Sequence, residues 1–327
     1  GSYYGAENYG NNKPGPWGVP DLEEFHGSDV FLTEALTLKA EQELELAAQQ
    51  QQPFFLQMAQ YAVHSPIQKD PRFFEYFKNK GLDDKEAAYA SLVAGVDASM
   101  SRIIDKLEEL NLSDTTHIAF CSDNGGLSAH SRGVTPLGTS KDTHNQPLRS
   151  GKGSGYEGGI RVPLILAWAG ASRPGYELPA DSMLPFATLS NDLYSTIADV
   201  AQIPRDWRHV DENAHAVSLW PIIAGKLGVV QRPMVWHYPH KWGPSGDRYE
   251  PFTAWREGYY KLIYWYETEQ FELYNLQNDI GETSDLINSH PEIAQRLANN
   301  LQQWMTAVDA QLPLRKADGK MLPVPTL

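Results

Sequence analysis

Two periods of hydrophobic and polar positions run along this chain, one helical and one strand-like. Between Asp84 and Asn111, Tyr89, Leu92, Val93, Val96, Met100, Ile103, Ile104 and Leu107 recur three and four residues apart, which predicts a helix with one apolar face. From Ser28 to about Gln50, Leu32, Leu36, Leu38, Leu44 and Leu46 sit among Glu, Lys and Ala. Composition predicts a helix there, closed by the polar run Gln49 to Gln52 and stopped by Pro53. Phe54 to Ala59 reads as a short buried strand, with His64-Ser65-Pro66 at its carboxy end. Thr115 to Ser122 reads as a second buried strand, which puts Cys121 in the core and runs into the loop Asp123-Asn124-Gly125-Gly126. Strand, helix and strand in that order imply parallel pairing. Open α/β sheets hold ligands at the carboxy ends of their strands, so His64 and the Asp123-Asn124 pair are expected to face one pocket.

Leu127 to Gly159 is long, polar and rich in Gly, Ser and Thr, a length at which loops are usually functional or disordered. Arg161 to Trp168 resumes a strand. Ser190 to Ile203 predicts an amphipathic helix with Ser190 as its cap and Leu193, Ile197 and Val200 inward. From Arg232 the pattern changes to aromatic-rich short runs, Met234 to Tyr238, Phe252 to Arg256, Tyr259 to Tyr266 and Gln270 to Leu276, which predict an antiparallel sheet. Pro291 to Val308 predicts a helix covering that sheet with Ile293, Leu297, Leu301 and Met305. These elements give an α/β fold, with a domain over 1–231 and a smaller antiparallel-sheet subdomain with its helix over 232–327.

Composition narrows the function. The 41 acidic residues outnumber the 27 Lys and Arg for a net charge of -14, which argues against nucleic acid as a partner. No stretch reaches the roughly 20 apolar residues of a membrane span. Gly1-Ser2-Tyr3-Tyr4 shows no basic-then-apolar signal pattern. A single cysteine rules out an internal disulfide framework and leaves the compartment open. Within this acidic chain Arg149, Lys152 and Arg161 lie close together, with His130, Lys141 and His144 just upstream, a cluster suited to an anion.

Four patterns, in this order, resemble the sulfatase family of the alkaline phosphatase superfamily: Tyr61-Ala62-Val63-His64-Ser65-Pro66, Ser122-Asp123-Asn124-Gly125-Gly126, Leu148 to Gly153 continuing through Tyr156 to Pro163, and Glu272-Leu273-Tyr274-Asn275-Leu276. Taken singly, Asp-Asn before Gly-Gly is a turn, His64 a turn histidine and Lys152 a solvated lysine. The resemblance implies more. It implies a three-layer α/β/α sandwich and makes Asp123 and Asn124 ligands of a divalent cation, calcium with magnesium as the alternative, which suits hard oxygen donors. It makes Lys152 and His64 sulfate-contacting catalytic residues; His130 and Arg149, from the basic cluster, are candidates for the substrate site. His237 and His240, in Trp236-His237-Tyr238-Pro239-His240, are candidates to reach the substrate from the second domain, or simply belong to an aromatic strand end.

The implied activity is hydrolysis of a sulfate monoester, of a sulfated carbohydrate or an aryl sulfate, in a periplasmic or secreted setting. The family's nucleophile is a formylglycine made from a Cys/Ser-x-Pro-x-Arg motif, which is absent from these 327 residues, as is the adjacent aspartate pair that in the family ends the first strand and completes the metal cage. The chain is therefore expected to be amino-terminally truncated, inactive by itself and in need of the missing segment as partner. Two other readings are a non-catalytic remnant that binds sulfated glycans and a phosphate or phosphonate ester hydrolase of the same superfamily.

Overall fold

The computed structural model describes residues 19–128, 144–170, 177–184, 186–204, 216–226, 228, 232–241 and 247–327. In chain order the elements are α1 (Leu32–Gln50), α2 (Phe74–Asn79), α3 (Asp84–Glu109), β1 (His117–Cys121), α4 (Glu157–Ile160), β2 (Leu164–Trp168), α5 (Asp192–Val200), α6 (Trp220–Ile223), β3 (Met234–Tyr238), β4 (Phe252–Glu257), β5 (Tyr260–Trp265), β6 (Gln270–Asn275) and α7 (Pro291–Ala307). They fall into two compact units. Among the described residues the first takes 19–119 and 166–170; the second takes 120–128, 144–165 and those from 177 onward.

In the first unit, α3 starts where the Asp83 carboxylate accepts from the backbone N–H groups of Lys85 and Glu86, at 2.9 and 3.0 Å. A cap of this kind contributes about 1 kcal/mol. α3 meets α1 through small residues: the Thr37 hydroxyl donates to the Ser99 hydroxyl at 2.6 Å, and Arg102 forks onto Glu41 beside them. The buried residues of α3 are Glu86, Ala87, Ala88, Ser91, Leu92, Gly95, Ser99 and Leu107, most of them small, while Val93 and Ile104 of the predicted apolar face are 49% and 36% exposed. Small side chains allow a close helix approach that the branched ones would prevent.

Two strand expectations are corrected. Residues 54–59 form no strand, and Phe55 is 71% exposed. A strand exists only in a ladder, and among the described residues β1 is paired with β2 instead. Cys121 is exposed, not core, because a sheet of two strands leaves a face of β1 uncovered. Tyr61, Ala62 and Val63 still pack on the core built from Val19, Leu22, Phe31, Leu32, Ala35 and Leu92, and so anchor the chain just before His64.

The second unit holds an antiparallel meander in the order β3-β4-β5-β6. Trp255 faces Leu262, and Ile263 faces Glu272. Alternation sends Leu262, Tyr264, Phe271 and Leu273 to one face, under Leu297, Leu301 and Met305 of α7. Ile263, Trp265 and Tyr274 go to the other face, where Tyr156 packs with 0% exposure. Ser190 does not cap α5. The buried Asp192 carboxylate accepts from the N–H groups of Leu189 and Val217 and pairs with Arg232. Among the described residues no helix is long and apolar enough to cross a membrane.

Candidate functional site

The chain leaving β1 turns at once into Asp123-Asn124-Gly125-Gly126, and this loop is held against the segment 149–159 by backbone hydrogen bonds. Gly125 N–H donates to Gly159 O at 2.9 Å and Lys152 N–H donates to Gly126 O at 3.1 Å. The approach is possible only because Gly125 has no side chain: a Cβ there would lie 1.8 Å from Gly158 O. Two patterns separated in sequence are thereby set side by side. Asp123 is exposed and accepts from Asn124 Nδ2 at 2.5 Å, which leaves Asn124 Oδ1 as an acceptor; Ser122 Oγ donates to Asn124 O at 2.8 Å.

Beneath this pair of loops lies a framework of buried charge. Lys261 on β5 is fully buried and donates to Glu157 Oε1 at 2.9 Å and to Glu282 Oε1 at 2.8 Å, while Glu157 N–H donates to Glu282 Oε2 at 2.6 Å. Burial pushes Glu157 up, but the Lys261 ammonium outweighs it and holds the carboxyl below its ordinary range. Burial raises Glu282, and the neighbouring Glu157 adds to the rise against the pull of Lys261. Glu272 of the fourth pattern accepts from Tyr156 OH at 2.7 Å, Tyr274 OH at 3.0 Å and Arg248 at 3.0 Å. The Glu272 to Leu276 pattern thus serves as a support for the segment around Tyr156.

Arg149, expected at the substrate, has protein partners. Its guanidinium forks onto Asp247 at 2.7 and 3.0 Å, donates to Glu282 O at 2.9 Å and lies 3.9 Å from the centre of the Tyr156 ring. His237 is likewise engaged: Nε2–H donates to Gln311 O at 2.6 Å. Nδ1 therefore accepts from Thr253 Oγ1 at 2.7 Å, and that hydroxyl accepts from Tyr266 OH at 2.9 Å. Burial lowers the His237 pKa. An unfolded histidine protonates near its ordinary 6.5 while the folded one resists, so this contribution to stability is present above that value and is lost as pH falls. His237→Gln is expected to flatten the pH dependence of the unfolding midpoint between about pH 7 and 5; an unchanged slope relative to the parent chain would remove this role.

His240 is exposed, 5.7 Å from the Tyr238 ring. His64 belongs to the first unit; its N–H donates to Tyr61 O at 2.8 Å and its side chain is exposed. His130 lies outside the described residues, as does Lys141. The structure therefore brings Asp123, Asn124 and Lys152 onto adjoining loops, and His64 is carried separately. Lys261, Glu282 and Asp247 were missed from sequence. A lone lysine in an otherwise apolar strand was the available signal for the first, because such a charge must find a buried partner.

For a divalent cation, the donors fit in kind. Asp123 and Asn124 are adjacent hard oxygen donors of the type calcium takes, although they supply only part of the roughly six to eight oxygens it gathers. Among the described residues no group of three or more His, Cys, Asp and Glu is placed to hold a metal.

Comparison with known proteins gives the family. Residues 2–203 match the family model Sulfatase, and residues 151–311 match the model N-sulphoglucosamine sulphohydrolase, C-terminal. A sulfatase of Formosa agariphila is 30% identical over 97% of this chain and 56% of its own length. An N-acetylgalactosamine-6-O-sulfatase of Bacteroides thetaiotaomicron is 26% identical over 85% of this chain and 52% of its own. The chain thus spans about half the length of these curated relatives. The crystal structure of Ps i-CgsB in complex with k-i-k-neocarrahexaose aligns with a TM-score of 0.64 and 27% identity, over 85% of this chain and 56% of that one. The putative sulfatase yidJ of Bacteroides fragilis aligns at 0.61 with 18% identity, over 87% and 62%. The fold class is α/β, of the alkaline phosphatase-like sulfatase type. With a family model running from residue 2 to residue 203 of the 327, this chain belongs to the sulfatase family.

Proposed function

We propose that this chain is the oxyanion-binding part of a sulfuric ester hydrolase whose substrate is a sulfate monoester on a sugar or an aryl group. The observation that carries this reading is the junction of the Asp123-Asn124 loop with the Lys152 loop through Lys152 N–H and Gly126 O. In an acidic chain, a lysine on a loop bonded to the one that carries two oxygen donors suited to calcium, or magnesium as the alternative, is the arrangement expected for a doubly ligated anion. The cation, held by Asp123 and Asn124 in part, would supply neutralising charge at the sulfonyl oxygens. Lys152 adds its own ammonium to the same charge, which shifts toward the leaving oxygen as the S–O bond breaks. The role implied for His64, assisting that leaving oxygen, belongs to the same proposal.

No Cys/Ser-x-Pro-x-Arg sequence occurs in these residues, so the chain contributes binding and charge stabilisation and not the formylglycine nucleophile. Arg149 and His237 hold the framework, and His240 remains a candidate for the sugar. One relative is named an N-acetylgalactosamine-6-O-sulfatase and one similar structure holds k-i-k-neocarrahexaose, which supports a glycan substrate; the periplasmic or secreted setting belongs to the same proposal. Titration of the chain with sulfate and with phosphate in the presence of calcium tests the reading. Saturable sulfate binding that weakens about tenfold or more in Lys152→Ala supports it. An unchanged affinity in the variant would remove Lys152 from the site, no binding by the parent chain would overturn the reading of these residues as an oxyanion site in their own right, and tighter phosphate binding would favour a phosphate ester.

A further inference from the structure

The geometry points to Asn145 as a positioning residue that sets Lys152 relative to the Asp123-Asn124 loop, an inference that rests on the reading of that site given above. Its side-chain amide Nδ2 donates to two backbone carbonyls at once, Gly126 O at 2.8 Å and Ser150 O at 3.0 Å. The first carbonyl closes the Asp-Asn-Gly-Gly loop; the second lies two residues before Lys152. Both partners only accept, so the nitrogen and not the oxygen of the amide faces them. Asn145 is therefore a clamp with one donor group across two loops.

Three details make the clamp specific. Gly126 O has two lone pairs, and the two are taken by Asn145 Nδ2 and by Lys152 N–H. Ser150 holds φ at +61°, a left-handed conformation that side chains disfavour. It is kept there by its carbonyl's bond to Asn145 and by its hydroxyl's donation to Asp247 O at 2.9 Å. Gly151 then passes so close that a Cβ would lie 2.6 Å from Gly126 O and 2.7 Å from Asn145 Nδ2. The direction in which the chain presents Lys152 is thus decided one and two residues earlier, at atoms that Asn145 contacts.

The test compares Asn145→Ala and Asn145→Asp with the parent chain. Aspartate has the shape of asparagine but aims oxygens at both carbonyls, so a packing role predicts parent behaviour from it and a donor role predicts the worst behaviour. Two readouts are used: sulfate affinity in the presence of calcium, and hydrogen exchange at the Lys152 backbone amide, with the thermal midpoint as a check on folding. The expected result is a loss of sulfate affinity of about 10- to 100-fold, as for other supports of ligand-bearing groups, with Asp at least as impaired as Ala and exchange at Lys152 faster in both. Parent-like exchange at Lys152 in Asn145→Asp overturns the inference, whatever the affinity. Should the parent bind no sulfate, the proposed site fails, while the exchange measurement still decides whether Asn145 holds the loop. If neither variant folds, Asn145→Ser, whose shorter side chain cannot reach both carbonyls, is read by the same exchange measurement, and parent-like rates there overturn the inference as well.

Discussion

Lys261→Met is expected to destabilise the chain by about 3–5 kcal/mol, because it strands two carboxylates in the interior. Lys261, Glu157 and Glu282 are each 2% exposed or less, and the ammonium donates to both carboxylates. Removing it leaves Glu282 without its ammonium partner and Glu157 with only the half-exposed Arg161 at 3.2 Å, and the unfolding midpoint in denaturant should fall accordingly. The pH dependence should also change. In the parent, the folded pKa of Glu157 lies below the ordinary 4.5, so its contribution is present above that value and lost as pH falls. Without the ammonium, Glu157 keeps only the pull of Arg256 and Arg161 against burial, and Glu282, already raised by burial, rises further, so the variant should regain stability as pH is lowered from about 7 toward 5. Adding Glu157→Gln and Glu282→Gln to Lys261→Met should restore much of the loss at neutral pH, since neutral amides cost far less to bury than charges. A single variant as stable as the parent would show that the three groups are not coupled.

Gly125→Ala should cost about 3 kcal/mol or more and separate the two loops that carry Asp123, Asn124 and Lys152. The new methyl group would sit 1.8 Å from Gly158 O, 2.7 Å from its carbonyl carbon and 2.9 Å from Gly159 Cα. These are backbone atoms, which cannot rotate away as a side-chain tip does. Relief requires breaking the bond from Gly125 N–H to Gly159 O, and the loops part together. The unfolding midpoint and the sulfate affinity should fall in parallel. A variant with the parent's midpoint would mean that the loops do not meet at this carbonyl.

Much of the architecture was legible in the chain because it depends on local periodicity. The helix from Asp84 and the helix from Pro291 were readable from apolar spacing, since a 3.6-residue repeat leaves its mark whatever lies opposite. The four aromatic strands were readable to within a residue or two, because each alternates between two filled faces. Residues 54–59 were misread because an apolar run reports a wish for burial and not the presence of a neighbouring strand. Cys121 was misread for the same reason. The face that α3 buries depends on how closely α1 approaches, which is a property of the pair.

The candidate site divides along the same line. Its residue types, a carboxylate beside a carboxamide and a lysine among glycines, stand in the sequence, because their chemistry belongs to single side chains. By itself the sequence determined the family, the α/β class and which residues have the chemistry for an anion. Only the tertiary structure decided that Arg149 is spent on Asp247 and Tyr156, that His237 is held by Thr253 and Gln311, and that Asn145 joins the two loops. Partners scattered from 5 to 98 residues apart leave no periodic trace, because a hydrogen bond is set by distance in space and a sequence records distance along the chain.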